Sequence, residues 1–231
     1  VPDFPEDTSL LREFAEELYF RFFRPLRVLR EDKKKTEMYQ TEMERKKEQR
    51  RSLNLDDYIE KLEIRLDIHV MRPKEQARVV QLVNKTNQFN LTAKRYSSVE
   101  IENIAQNNNY VVYVIYAKDK YGDSGLVGVV ILLLGEERAD IDTFLMSCRV
   151  MGRKIEDVVI DRIAAQLKGK VQKLRGVFRF TSKNAPVKDL YDRLGFERIS
   201  DQDVLKVFEL GIDSYVPKEF TFFQEINFEK K

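Results

Sequence analysis

The sequence predicts an α+β protein organised on one mixed β-sheet. Three observations carry that prediction. Strand-like and helical runs alternate from residue 53 to residue 228. Residues 110–118 and 126–134 are β-rich and enclose Lys120-Tyr121-Gly122-Asp123-Ser124-Gly125, the signature of an antiparallel hairpin. Residues 141–150 form an apolar, strand-like run that passes straight into a helix with Ile155, Val158, Val159, Ile163 and Leu167 on one face.

The remaining elements follow in chain order. Residues 10–23 carry Leu11, Phe14, Leu18 and Phe22 at helical spacing, and Pro25 ends or kinks that helix. From 30 to 51 charges of both signs dominate, which predicts a solvated connecting helix. Its interleaved Glu31, Asp32, Glu37, Glu42, Glu44 and Glu48 would repel phosphate and argue against a nucleic-acid arm. Residues 53–62 read as a short helix leading into a strand over 63–70, where Ile64, Leu66 and Ile68 alternate with polar neighbours. The compact domain is therefore expected over 55–231, with 1–54 as a helical extension.

Pro73 opens a helix whose buried side holds Ala77, Val80, Leu82 and Val83. Ser97 and Glu100 form a capping box for the next, which carries Val99, Ile101 and Ile104 and stops at Asn107-Asn108-Asn109. Beyond the central strand and helix, residues 177–181 are a strand. Pro186 sits in the first turn of a helix bearing Leu190, Tyr191 and Leu194, and Gly195 stops it. Residues 204–210 and 220–228 supply two further strands.

Composition narrows the class. With 231 residues, 42% of them hydrophobic, the chain can bury one good core plus an appendage. Lys and Arg number 41 against 39 Asp and Glu, so the net charge of +2 makes no general case for binding nucleic acid or a membrane surface. A single cysteine excludes an internal disulfide, and no apolar run reaches the roughly 18 residues of a membrane span. The residues after Val1 lack signal-peptide chemistry, and a cytoplasmic protein is expected.

Two stretches carry candidate chemistry. Arg149-Val150-Met151-Gly152-Arg153-Lys154 puts one glycine among three basic side chains at a helix start. Unpaired N–H groups and partial positive charge make such a turn a phosphate site, and Arg149, Arg153 and Lys154 would strengthen it. An ordinary turn with solvated basic residues has the same spacing. Thr86-Asn87-Gln88-Phe89-Asn90 is an amide cluster able to hydrogen-bond substrate carbonyls and hydroxyls, or simply to cap a helix end.

Other signals are weaker. Gly122-Asp123-Ser124-Gly125 is similar to a serine-protease nucleophile motif, but the chain has one histidine, His69, and the motif falls in a hairpin turn. Asp140-Ile141-Asp142 resembles the paired aspartates of HAD phosphatases, yet it precedes its strand and Phe144 stands where Thr or Val belongs. Cys148, inside a predicted strand, reads as a small buried hydrophobe or as an acyl-carrying thiol. His69 has no second ligand nearby in sequence, so no metal site is expected.

Arg149-x-x-Gly152-x-Lys154 resembles the R/Q-x-x-G-x-G/A signature of the GNAT acyltransferases, departing from it at Lys154. Asn184 followed by Tyr191-Asp192-Arg193-Leu194-Gly195-Phe196 is similar to that family's Asn and Y-x-x-x-G-F element, and the order of predicted elements matches its architecture. Thr86-Asn87-Gln88-Phe89-Asn90-Leu91-Thr92, Tyr121-Gly122-Asp123-Ser124-Gly125-Leu126-Val127-Gly128 and Ser147-Cys148-Arg149-Val150-Met151-Gly152-Arg153 resemble the C-terminal half of FkbH-like proteins. In these a HAD-type phosphatase domain precedes a GNAT-like domain, and residues 1–7 resemble the end of that phosphatase-like half.

The resemblance implies a GNAT-like fold over 55–231 and a linker from an upstream HAD-like domain over 1–54. It implies binding of a phosphopantetheine-linked acyl group, a glyceryl unit in the FkbH-like case, on an acyl carrier protein or on coenzyme A. Cys148, Arg149, Val150, Met151, Gly152, Arg153, Lys154 and Asn184 would then hold the cofactor, with its extended arm along 148–150. Tyr191 would be the proton donor to the leaving thiolate, and Asn87, Gln88 and Asn90 would touch the acyl part. Two readings follow: an acyltransferase, or a non-catalytic module that presents the carrier to the upstream domain. Lys154, where a small residue is expected, favours a single carrier phosphate over the coenzyme A pyrophosphate.

Overall fold

The computed structural model describes residues 7–18 and 30–229. The chain divides into two units, Val1–Lys46 and Lys47–Lys231. In the first, a 3₁₀ turn at Thr8–Leu10 is capped by Asp7, whose carboxylate accepts from the Ser9 amide at 2.9 Å, and leads into α1 (Leu11–Leu18). Phe22 of the expected helix, and Pro25, expected to end or kink it, lie outside the described residues. The charged helix α2 (Arg30–Arg51) starts in this unit and ends in the second.

The second unit opens with α3 (Leu55–Leu62). Asn54 caps it by accepting from the Asp57 amide at 2.9 Å, and Glu63 ends it in the left-handed region at φ 55°. Then come β1 (Arg65–Val70), α4 (Gln76–Lys85), the two-residue β2 (Phe89–Asn90) and α5 (Ser98–Gln106), which starts on the expected Ser97/Glu100 capping box. The long hairpin β3 (Tyr110–Asp119) and β4 (Gly122–Leu134) precedes β5 (Arg138–Met146) and α6 (Ile155–Leu167). The chain finishes with β6 (Lys173–Arg179), α7 (Leu190–Arg193), β7 (Glu197–Asp201), β8 (Leu205–Gly211) and β9 (Glu225–Phe228).

Among the described residues the strands form one mixed sheet in the order β7-β8-β6-β5-β4-β3-β1-β9, with β2 paired to β5 as well. The β5/β6 and β1/β9 pairs are parallel and the others antiparallel. Alternation along the strands gives each face its own core. On one face α6 buries Ile155, Val158, Val159, Ile163 and Leu167 in a cluster that includes Ile68, Ile115 and Phe144. On the other, α4 and α5 bury Val79, Leu82, Val83 and Ile101 against Val114, Val129 and Leu145. Each such fully buried aliphatic side chain contributes about 1.5–3 kcal/mol relative to exposure. No helix among the described residues is long and apolar enough to cross a membrane.

Several boundaries differ from the sequence reading. The central strand ends at Met146, and Cys148–Val150 is a 3₁₀ turn instead of strand. Its cause is local: the Val150 amide donates back to the Ser147 carbonyl at 3.1 Å, and the Arg153 guanidinium holds the Arg149 carbonyl at 2.8 Å. Cys148 is consequently exposed, not buried in a strand. Only Glu225–Phe228 of the expected 220–228 strand pairs. The preceding loop is tied to α6 by Asp161, which accepts from the Tyr215 hydroxyl and the Lys218 amide, each at 2.7 Å. Pro186 lies in a single 3₁₀ turn, Ala185–Val187, and α7 has four residues.

Candidate functional site

The turn before α6 holds two residues in the left-handed region, Gly152 at φ 74° and Lys154 at φ 54°. A Cβ at Gly152 would meet no atom within 4 Å, so the turn presents its backbone to open space. Lys154 occupies the N-cap position without a capping side-chain hydrogen bond, and its conformation costs roughly 1–2 kcal/mol.

The three basic side chains point in different directions. Arg153 turns inward and pairs with the buried Asp119 carboxylate of the β3–β4 hairpin at 3.3 Å. Lys154 pairs with Asp56 of α3 and lies 5.1 Å from the Phe222 ring centroid. Arg149, half-buried, donates to the Ser147 hydroxyl at 3.2 Å. Val150 is buried and Met151 half-buried.

The helix start carries its own carboxylates. Arg193 of α7 reaches Asp157 through two contacts of 2.6 and 2.7 Å and Glu156 at 2.8 Å. Burial pushes the Glu156 carboxyl above the usual carboxylate range, against the pull of its own amide and of Arg193, and its Oε2 has no hydrogen-bond partner.

Between this turn and residues 186–193 lies a cleft of about 440 Å³. Leu55, Phe89, Met151, Val187 and Leu190 supply apolar walls, while Lys154, Glu156, Asp189 and Arg193 supply charge of both signs. Its size falls in the range of small-molecule sites, about 300–1,000 Å³.

Phe89, one wall of the cleft, belongs to a segment that fills a fork in the sheet. β5 and β6 pair only as far as Ile141 and Gly176 and then separate. Residues 89–91 occupy the gap: Phe89 faces Met146 and Asn90 faces Leu145 across β5, the Leu91 amide donates to the Phe144 carbonyl at 3.1 Å, and the Arg179 amide donates to the Leu91 carbonyl at 2.8 Å. The edge expected to receive an extended arm, 148–150, is a 3₁₀ turn and not a strand, and the β5 edge just before it, 144–146, is already paired within the chain.

Asn184 fastens this segment. Its side-chain amide donates to the Asn90 and Arg179 carbonyls, each at 2.9 Å, and its oxygen accepts from the Thr181 amide at 2.8 Å, so both its N–H bonds are committed. Asn90 is equally internal, accepting from the Ala93 amide at 2.9 Å. Asn87 and Gln88 are exposed, and Asn87 accepts from Arg95 at 2.6 Å.

Tyr191 lies at the base of the fork, fully buried between Phe196 and Phe208, with its ring against Gly176. Burial drives its hydroxyl far above the ordinary tyrosine range. The nearby Val177 amide offsets this in part, without a well-formed hydrogen bond to the oxygen. As folded, Tyr191 does not face the cleft opening.

One group went unrecognised in the sequence. Asp142 sits at a β5 bulge one residue beyond the last β5–β6 pair, where Thr143 faces Ile131 and Ile141 faces Leu132. Its carboxylate accepts from the Tyr96 hydroxyl at 2.5 Å and the Thr143 hydroxyl at 3.0 Å, and pairs with Lys94. Burial, then the hydrogen bond to Asp142, drives the Tyr96 hydroxyl well above its ordinary value. The Asp-x-Asp spacing was visible, but nothing in it marks a bulge.

No family model and no curated protein matches the sequence. Solved structures do match the shape. A spermidine N-acetyltransferase variant from Vibrio cholerae has a TM-score of 0.50 at 15% identity, covering 66% of this chain and 96% of its own. The protein smu.2055 from Streptococcus mutans UA159 has a TM-score of 0.51 at 18% identity, covering 63% and 99%. A domain from Methanocaldococcus jannaschii DSM 2661 gives 0.51 at 15%, covering 64% and 99%.

The fold is that of the GNAT acyltransferases. In this chain the cleft is bordered by the Gly152 turn, the first turn of α6 and Phe89, whose segment fills the β5–β6 fork. At these identities the likeness speaks to the fold alone.

Proposed function

We propose that this GNAT-fold domain takes a phosphopantetheine-linked acyl group carried by an acyl carrier protein, in the FkbH-like context of an upstream HAD-like phosphatase domain. The observation that carries this reading is the cleft of about 440 Å³ that is lined by the open backbone of Gly152 at the helix start, by apolar walls and by Phe89. A phosphate would meet the amides of the Gly152 turn and the N-terminus of α6. Met151, Val187, Leu190 and Phe89 would flank an extended arm. The cofactor would bring the thioester bond; the chain's own residues bind, orient and exclude water. Lys154, crossing toward Asp56 and Phe222, narrows the phosphate end and favours one phosphate over a pyrophosphate.

The second reading is a docking module without chemistry, presenting the carrier to the phosphatase-like domain. It is favoured by Tyr191, whose hydroxyl is enclosed, and by the β5 edge, which residues 89–91 already pair. In either reading Asn184 acts by holding the chain rather than the cofactor.

The test is calorimetric titration of the chain with a holo carrier, the same carrier lacking phosphopantetheine, and free coenzyme A. Affinity for the holo carrier at least tenfold above the other two, lost in Gly152→Val, is the expected result. Equal affinity for the holo and unmodified carriers would sink the proposal.

A further inference from the structure

Residues 89–91 treat the β5–β6 fork as a strand treats a sheet, yet only two of them pair as strand. Three features set them apart from an ordinary edge strand. Besides one backbone bond, from the Arg179 amide to the Leu91 carbonyl, their attachment to the β6 exit runs through one amide side chain, Asn184, which grips the Asn90 and Arg179 carbonyls together. The segment ends at Ala93, a non-glycine residue in the left-handed region at φ 55°, a conformation kept only under constraint. Two buried hydroxyls bordering it, Thr92 within the same loop and Tyr191 at the fork's base, have no hydrogen-bond partner, an uncommon cost in a well-packed interior. Phe89 also forms part of the wall of the 440 Å³ cleft.

We propose that residues 89–91 are a displaceable strand that closes the β5–β6 fork, that Asn184 is its latch, and that an extended, amide-bearing arm binds fully only by taking its place. The inference rests on the reading of the cleft as a phosphopantetheine site. An arm entering from the Gly152 turn runs into Phe89. Beyond it, the Phe144 carbonyl and the Arg179 amide are groups that an amide chain can bond as Leu91 does. Exchange would open the space beside Tyr191 and bring its unpartnered hydroxyl to the arm. The closed form resists exchange because Phe89 and Leu91 are buried and Phe89 packs edge-on to Phe144, with ring centroids 5.2 Å apart. The open form is therefore a minor population, and any arm that needs it binds more weakly than the site intrinsically allows.

The experiment uses the full chain, with 4′-phosphopantetheine and inorganic phosphate as probes, and reads residue-level amide exchange together with affinity. Phosphopantetheine is expected to speed exchange at the Leu91 amide at least tenfold while phosphate alone does not. Asn184→Ala should speed Leu91 exchange without ligand and raise phosphopantetheine affinity about three- to tenfold by populating the open form. Ala93→Gly, which relaxes the left-handed residue and favours closure, should lower affinity about threefold and guards against a latch variant that folds poorly. Binding that leaves Leu91 exchange unchanged or slower would overturn the exchange while sparing the cleft. Failure of phosphopantetheine to bind the parent and both variants would overturn the cleft reading and the displaceable strand with it.

Discussion

The Tyr191 ring fills the space where a side chain on Gly176 would stand, and a Cβ built on Gly176 falls 2.4 Å from it. Gly176 makes the last β5–β6 pair, so the two residues together fix where the fork begins. Overpacking in a closed core costs about 1–3 kcal/mol. Gly176→Ala is expected to lose that much in urea denaturation, and to regain most of it when combined with Tyr191→Leu. An unaffected single variant would mean that the ring has room to move.

Tyr191→Phe separates a structural from a chemical role. The hydroxyl is buried without a well-formed partner, and removing such a group is expected to leave stability unchanged or raise it by up to about 1 kcal/mol. A loss of more than about 1 kcal/mol would reveal a real hydrogen bond, with the Val177 amide the candidate. If acyl transfer by a protein carrying the upstream domain falls while carrier binding persists, the hydroxyl takes part in chemistry. Intact transfer favours the docking module.

Glu156 predicts a pH dependence whose sign follows from burial. Its folded-state carboxyl titrates above the unfolded value near 4.5, so the native chain holds a proton more tightly there. Stability carried by this group is full below that value and declines as pH rises through the raised folded one. Glu156→Gln keeps an oxygen for Arg193 and removes the buried charge. The variant is expected to gain on the parent as pH rises above 4.5 in chemical denaturation. A difference that is flat with pH, or that runs the other way, would show Arg193 compensating the charge fully.

The parts of the fold that sequence made legible are those governed by periodicity and caps: the α6 stripe, the β3–β4 hairpin and the Ser97/Glu100 capping box all stand where they were expected. The parts that escaped depend on partners distant in sequence. Phe89 and Asn90 look like the frayed end of α4 until Met146 and Leu145 are brought beside them. β7 is polar and carries the half-exposed Ile199, so its pairing to β8 leaves little periodic signal. The candidate site divides the same way. The Gly152 turn was visible as a motif, but the direction of its basic side chains was not, because Asp119 and Asp56 lie far away along the chain. Asn184 was singled out for a cofactor, and only the structure places its amide on Asn90 and Arg179.

Gly152 is constrained by conformation and not by space. At φ 74° a side chain is strained, yet its Cβ would touch nothing within 4 Å. Asn tolerates the left-handed region better than Ala, and a β-branched residue tolerates it least. The expected order of stability is therefore Gly152→Asn above Gly152→Ala above Gly152→Val, with the Ala variant about 1 kcal/mol below the parent in denaturant midpoints. Equal stability for all three would show that the turn relaxes freely.

Arg153 ties the same turn to the β3–β4 hairpin. Its guanidinium and the Asp119 carboxylate are 7% and 2% exposed, and Asp119 also accepts the Tyr121 and Gly122 amides that close the hairpin, at 3.0 and 3.1 Å. Removing one partner of a buried pair leaves the other charge in a poor solvent, at a cost of about 3–5 kcal/mol. Arg153→Met is expected to lose about 3 kcal/mol. Asp119→Asn retains an oxygen for the hairpin amides and removes the charge, so adding it to Arg153→Met should restore part of the loss. The coupling measured in that double-mutant cycle decides the point. Additive losses would mean that Arg153 supports the turn through contacts other than Asp119, such as the Arg149 carbonyl, and that the hairpin has no hold on the Gly152 end of the cleft.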